Sequence, residues 1–338
     1  MTNIQDVAKR AGVAPITVSR VINHSGYVTQ EVRERVESAV AEMGYVPNSL
    51  ARSLRSKRTH TLALVLTDIT NPFFTTVARG VEDFAIKNGY TVIFCNTDES
   101  EEKELMYIKM LLQNRVDGFL LVPASSTSQS VLMIQRHTTP LVVLDRRVTH
   151  TEVDVVRGES VEAAYKMTQF LIRLGHRRIA MLTGRLGVST TDDRVDGFQR
   201  AMQEADLGEP VIKYGAFSLD SGYEMACQVL SVHPRPTALF AANNFIAIGA
   251  LNALRESGLR VPEDISLVGF DDLPPALITY PFFTVVSQPA YEIGKAAAEL
   301  LIKRLKDQSF DPPQEIVFPT EVIVRQSSGA ASGYSILS

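Results

Sequence analysis

The stretch Ile4-Gln5-Asp6-Val7-Ala8-Lys9-Arg10-Ala11-Gly12-Val13-Ala14-Pro15-Ile16-Thr17-Val18-Ser19-Arg20-Val21-Ile22-Asn23 reads as two short helices around a tight turn. Ile4, Val7, Ala8 and Ala11 recur at helical spacing and give Ile4–Ala11 one apolar face, and Gly12 supplies a stop. Pro15 suits a first helical turn, and Val18, Val21 and Ile22 face inward over Pro15–Ile22. Joined by Ala11-Gly12-Val13-Ala14, the pair makes a turn of the helix-turn-helix kind. A third helix is expected over Gln30–Met43, with Thr29 as N-cap, Glu31 near its positive end and Gly44 at its close. Away from its apolar face the second helix carries Ile16, Thr17, Ser19, Arg20 and Asn23. Short polar groups and one guanidinium suit phosphates and base edges in a major groove. On pattern alone, a three-helix core with a solvated polar face fits about as well.

Charge extends the argument outward. Residues 1–60 carry nine Lys/Arg against five Asp/Glu, while the remaining 278 carry 25 against 33. A basic head on an acidic body suggests that the head meets a polyanion. Pro47 breaks the third helix, and Asn48–Arg55 has room for about two helical turns. A helix that short is marginal in water, so the segment reads as a linker that becomes helical when held. The 338 residues are 45% apolar and 21% charged, which excludes general disorder. No apolar run reaches the ~18 residues of a membrane span, and Met1-Thr2-Asn3-Ile4-Gln5-Asp6 forms no signal peptide. Cys95 and Cys227 are the sole cysteines and lie far apart, so no disulfide framework, metal site or cofactor is expected, and the cytoplasm is the default compartment.

Beyond residue 60, strand-length apolar runs alternate with amphipathic segments. The runs are Leu62–Leu66, Thr91–Phe94, Gly118–Val122, Leu141–Leu144, Ile179–Leu182, Val211–Lys213, Ala238–Ala241, Ile265–Val268 and Thr284–Ser287. Between many of them lie helical patterns such as Val77–Asn88, Lys103–Gln113, Glu159–Leu174 and Phe245–Ser257, and Pro289–Lys306 follows the last run. This predicts an α/β body of parallel strands with crossover helices, in two lobes that break near Val155–Gly158. No dinucleotide or P-loop glycine motif is present, and the six histidines are scattered, so an enzyme is not expected. Ligands of open parallel sheets sit beyond the carboxyl ends of the strands. The polar residues there are Asp68, Asn71, Asp145, Arg146, Asn243, Asn244, Asp271 and Gln288, with Arg194 further on, opening a helix, and Phe73, Phe74 and Phe217 as aromatic neighbours. Carboxylates, amides and an arginine fork grip hydroxyls, and aromatic rings cover an apolar sugar face. His176, just after Gly175, is expected to cap a turn.

The head motif, then Met43-Gly44-Tyr45-Val46-Pro47-Asn48, Ala51-Arg52-Ser53-Leu54, Asn71-Pro72-Phe73-Phe74, Leu174-Gly175-His176-Arg177-Arg178-Ile179-Ala180 and Gly269-Phe270-Asp271-Asp272, closely resemble the lactose/galactose repressor (LacI/GalR) family. The resemblance covers nearly the whole chain. It implies a homodimeric transcriptional regulator, a repressor on this reading, on an approximately palindromic double-stranded operator. Pro15, Ile16, Thr17, Ser19, Arg20, Asn23 and Tyr27 would serve the major groove. Ala51, Leu54 and Arg55 of paired linker helices would serve the minor groove, with Leu54 wedged at a central pyrimidine–purine step. The implied domains are 1–46 (helix-turn-helix), 47–60 (hinge), 61–157 with 289–318 (first lobe) and 158–288 with 319–338 (second lobe), the lobes resembling periplasmic sugar-binding proteins. Asn71, Phe73, Phe74, Asp145, Arg146, Arg194, Phe217, Asn243, Asp271 and Gln288 then stand as effector contacts, for a sugar such as a pentose or similar polyol. The chain departs from the family at Ala14, where a capping Ser is usual, at Val122, where an amide is usual, and at Asn244, where Asp is usual. Asn244 is expected to support Asn243. Val188 replaces an arginine of the purine-responsive branch. A purine or a phosphocarrier protein is the alternative effector. Ser327–Ser338 has no leucine heptad, which favours a dimer over a tetramer.

Overall fold

Asn3 starts α1 (Ile4–Ala11) with a reciprocal cap. Its side chain accepts from the Gln5 and Asp6 N–H groups at 2.8 and 3.1 Å, and Asp6 accepts from the Asn3 N–H at 3.0 Å. Gly12 ends the helix at φ 66°, in the left-handed region. The second helix, α2 (Pro15–Ile22), has Ala14 at its N-cap and no side-chain bond there. The third, α3 (Gln30–Glu42), has Thr29 at its N-cap, but the expected Thr29 side-chain bond is not made and Met43 is the C-cap. Val7, Val18 and Val36, one from each helix, are fully enclosed at the centre of this unit. The computed structural model describes residues 2–46, 58–127, 129–274, 280–307 and 311–331. The expected linker helix, with Ala51, Leu54 and Arg55, and the tail beyond Ala331 lie outside the described residues.

The chain divides into two compact units, Met1–Thr59 and His60–Ser338. Within the second, β1 (Thr61–Leu66), β2 (Thr91–Asn96), β3 (Gly118–Leu121), β4 (Leu141–Leu144), β5 (Asp154–Gly158) and β11 (Glu315–Phe318) form a sheet in the order β11-β5-β4-β3-β1-β2. A second sheet holds β6 (Ile179–Thr183), β7 (Val211–Tyr214), β8 (Ala238–Ala241), β9 (Ser266–Phe270), β10 (Thr284–Ser287) and β12 (Glu321–Ile323), in the order β12-β10-β9-β8-β6-β7. The pairing of β10 with β12 is antiparallel, and the other pairings are parallel. The central strands β3, β4, β6, β8 and β9 are buried along their whole length, as parallel strands covered by helices on both faces must be.

The covering helices are α4 (Pro72–Lys87), α5 (Glu101–Gln113), α6 (Gln129–Arg136), α7 (Ser160–Arg173), α8 (Ser189–Glu204), α9 (Leu219–Leu230), α10 (Asn244–Glu256) and α11 (Ala290–Asp307). Two glycines let α4 and α11 touch backbone to backbone. A Cβ on Gly80 would stand 2.1 Å from the Tyr291 carbonyl oxygen, and one on Gly294 would stand 2.0 Å from that of Val77. Helix α11 therefore completes the first lobe although it follows the second in sequence. The chain passes between the sheets three times, after β5, β10 and β11. The break expected at Val155–Gly158 falls on β5 itself, so the first crossing comes after Gly158. His176 does not cap a turn with its ring. The imidazole is buried and bonded to Thr237 Oγ1 (2.9 Å), Ser266 Oγ (3.1 Å) and the Gly329 carbonyl (3.0 Å). No described helix is long and apolar enough to cross a membrane.

Candidate functional site

The outer face of α2 exposes Pro15, Ile16, Arg20 and Asn23, with Thr17 and Ser19 half-buried beside them. The Asn23 amide donates to the Ser19 carbonyl at 2.8 Å and to its hydroxyl at 3.2 Å, which fixes both polar groups on that face. Ile16 is 49% exposed and Tyr27 89%. Ile16 can meet a thymine methyl but cannot hydrogen-bond. All seven described candidates for DNA contact are thus at least partly open to solvent.

In the second unit, loops from both sheets line a cleft of about 370 Å³. Asp145 follows β4 and Asp271 follows β9, and both adopt left-handed backbone, at φ 62° and 66°. Each is pinned there by its own N–H, which donates to Val156 O (2.9 Å) for Asp145 and to Val286 O (2.8 Å) for Asp271. Outside glycine that conformation costs about 1–2 kcal/mol, least for Asp and Asn. The lobes repeat a second device. Asn71 caps α4 by accepting from the Phe73 N–H at 3.0 Å, and Asn243 caps α10 by accepting from the Ile246 N–H at 2.7 Å.

Arg194, on α8, lies between the two aspartates electrostatically. Its guanidinium sits 3.8 Å over the Phe270 ring, Nη1 donates to Ala242 O at 2.5 Å, and buried Nε has no partner in the protein. Burial pushes Asp271 up to about 6, against the pull of Arg194 and of the Gln288 amide, which donates to it at 2.6 Å. Burial also raises Asp145, with Arg194 and Arg146 pulling it back. Among the described residues no group of three His, Cys, Asp or Glu side chains is placed to hold a metal ion.

Nine of the ten expected effector contacts line this cleft: Asn71, Phe73, Phe74, Asp145, Arg146, Arg194, Phe217, Asn243 and Asp271. Gln288 does not line it, and instead holds Asp271. Arg146 is largely occupied, because Nη1 and Nη2 bind the Glu99 carboxylate at 2.7 and 2.5 Å. Burial would raise Glu99, but Arg146 and Arg185 hold it below the usual carboxylate range. Glu99 was missed in the sequence, although it follows the second apolar run much as Asp68 and Asn71 follow the first. Asn244 does not support Asn243. It exchanges two amide hydrogen bonds with Asn71, at 3.1 and 3.0 Å, and so ties the lobes together. Arg185 adds a second tie, donating to Glu99 O (2.9 Å) and Oε2 (3.2 Å), and Arg147 adds a third through Ser189 and Asp193. Val122 and Val188 are both enclosed and line no part of the cleft.

Known proteins agree with this architecture. Residues 3–48 match the model for bacterial regulatory proteins of the lacI family, and residues 168–328 match a periplasmic binding protein-like domain. The HTH-type transcriptional repressor PurR of Vibrio atlanticus (strain LGP32) is 39% identical over 314 residues, covering 92% of this chain and 94% of the relative. The structure of the transcriptional regulator CelR in complex with cellobiose is 32% identical, covers 97% of this chain and 100% of its own, and superposes with a TM-score of 0.74. The lac repressor dimer bound to operator and the anti-inducer ONPF is 27% identical, with coverage of 97% and 99% and a TM-score of 0.84. The chain belongs to the LacI family of bacterial regulatory proteins, as a DNA-binding transcriptional repressor with no enzymatic role.

Proposed function

We propose that this repressor acts as a dimer on an approximately palindromic operator and answers to a neutral sugar or polyol held in the interlobe cleft. The observation that carries the effector class is the paired strand-end aspartates, Asp145 and Asp271, which line one cleft with Arg194. Two carboxylates accept from hydroxyl donors, the guanidinium donates to ring or hydroxyl oxygens, and Phe73, Phe74 and Phe217 cover an apolar face. The lining carries Asp68, Asp98, Glu99, Asp145 and Asp271 against Arg146 and Arg194. That balance disfavours phosphorylated ligands. The cellobiose held by CelR supports the same class.

A second reading is a purine effector, and the sequence comparisons favour it over the first: the Vibrio relative at 39% identity is named PurR, as are relatives from other Vibrio and Aliivibrio strains at 36–38%. Three phenylalanines would cover a flat base as readily as a sugar. Against it, Val188 is 1% exposed and offers no hydrogen bond where the purine-responsive branch has arginine. Either effector works only through its differential affinity for the two lobe arrangements, and a tenfold change in operator affinity needs about 1.4 kcal/mol.

The test is to select an operator from random duplex DNA and then titrate the repressor–operator complex by anisotropy. A neutral sugar that changes operator affinity tenfold or more, with hypoxanthine and guanine inert, is the expected result. A purine response with every sugar inert replaces this reading with the second.

A further inference from the structure

We infer that the cleft takes a two-ring ligand, a disaccharide or a glycoside of that size, with a second subsite formed by Asp68, Thr70, Glu99 and Ser218. This rests on the sugar reading above and makes it narrower. Size is the first observation. A single pyranose, a dozen non-hydrogen atoms, would fill roughly half of a cavity at the lower end of the small-molecule range, and this cleft measures about 370 Å³.

The polar lining also falls into two sets. Asp145, Arg194, Asn243 and Asp271 make one. The other comes from the loops after β1 and β2, which supply Asp68, Thr70, Asp98 and Glu99, and from Ser218 across the cleft. Phe217 belongs to the second side, its ring 5.5 Å beneath the Arg146 guanidinium.

Each set keeps one buried donor without a protein partner: Nε of Arg194 in the first and Nε of Arg146 in the second. Both arginines are 3% exposed. Glu99 fixes Arg146 through both terminal nitrogens, so its remaining N–H is held in one place. Both Nε atoms are closed to solvent, so the two arginines brace their sets and the ligand is met by the carboxylates, amide and hydroxyls beside them. Asp68 engages Thr70 through Oδ1 alone, at 2.8 and 2.6 Å, which leaves Oδ2 for a hydroxyl donor. A monosaccharide gripped by the first set would leave all of this unused.

Isothermal titration of the full-length protein tests the inference, with glucose, galactose, ribose, cellobiose, maltose and lactose as probes. One disaccharide should bind at least tenfold more tightly than its own monosaccharides. In Asp68→Ala that ratio should fall to about threefold or less. Thr70→Val, which removes only a hydroxyl, should lower it in the same direction and serves if Asp68→Ala unfolds. A monosaccharide that binds as tightly as every disaccharide overturns the second subsite and leaves the sugar reading standing. A tenfold ratio that survives both substitutions overturns the residue assignment. Binding of hypoxanthine or guanine in place of every sugar overturns both readings.

Discussion

Asp271 combines three costs at one residue: burial, left-handed backbone and a carboxylate pushed up to about 6. Because its folded value lies above the ordinary 3.8, the folded chain holds this proton more tightly than the unfolded chain does. Its contribution to stability is fully present below pH ~4 and is lost as pH rises through about 6. Asp271→Asn keeps an acceptor for the Gln288 amide and removes the charge. It should raise the stability of the effector-free protein at pH 7.5 by on the order of 2 kcal/mol, a Tm gain of several degrees, and abolish the effector response. A lower Tm in calorimetry would contradict this account. By the same protonation, sugar affinity should weaken as pH falls from 7 to 5, which titration calorimetry would register. Asp145 and Asp271 were legible as cleft residues because they stand at the ends of parallel strands, and Arg194 because the helix after β6 carries it back to the same cleft. The Asn71–Asn244 pair was not, because it joins residues 173 positions apart and depends on how the lobes close. Nor was the diversion of Arg146 onto Glu99, since a buried arginine facing ligand and one facing carboxylate look alike in sequence.

Among the elements, α2 starts on an N-cap without a side-chain bond, with Ala14 already in extended backbone at φ −72° and ψ 149°. Ala14→Ser supplies the missing oxygen without moving the chain. It should stabilise the head by about 1 kcal/mol, seen as slower amide exchange in α2. Unchanged exchange would mean that Pro15 already provides all the preorganisation this helix can use. In the second lobe, His176 joins the start of β6 to Thr237, to Ser266 on β9 and to the segment at Gly329. Burial holds its ring below the ordinary 6.5. The neutral ring is therefore the folded form, and its support is lost as pH falls below about 6.5. His176→Ala should cost about 3 kcal/mol at pH 7.5. That gap should narrow towards pH 5 in parallel denaturant titrations. Elements with long apolar runs were readable from the residues alone, since β1, β3, β4, β6, β8 and β9 must be apolar to be covered on both faces. The strands β11 and β12 were not, being four and three residues long and largely unburied. Helix α8 was legible only from Arg194 onward, because its first turns, Ser189-Thr190-Thr191-Asp192-Asp193, are poor helix formers that tertiary contacts hold in place.

At the scale of the molecule, β2 is an edge strand that leaves Ile93 38% and Phe94 41% exposed, and nearby helices α4 and α5 leave Ile86, Met106 and Met110 open as well. Exposed apolar surface on an unpaired edge is what a second copy of the chain would cover. Phe94→Lys should shift sedimentation from dimer to monomer and weaken operator binding at least tenfold. A dimer unaffected by that charge would place the interface elsewhere. The lobes raise a different question, because neither is a continuous piece of chain. The first sheet borrows β11, and the first lobe borrows α11, from beyond the second lobe's main segment. The head, in contrast, is one uninterrupted stretch ending at Thr59. A single recombination event between two genes of this kind can therefore transplant the DNA address whole. Exchanging the second lobe would need three coordinated breakpoints. Over evolutionary time head and body can be re-paired whole by shuffling, whereas one half of the cleft is hard to exchange without the other, so the finer tuning of what is sensed accumulates substitution by substitution.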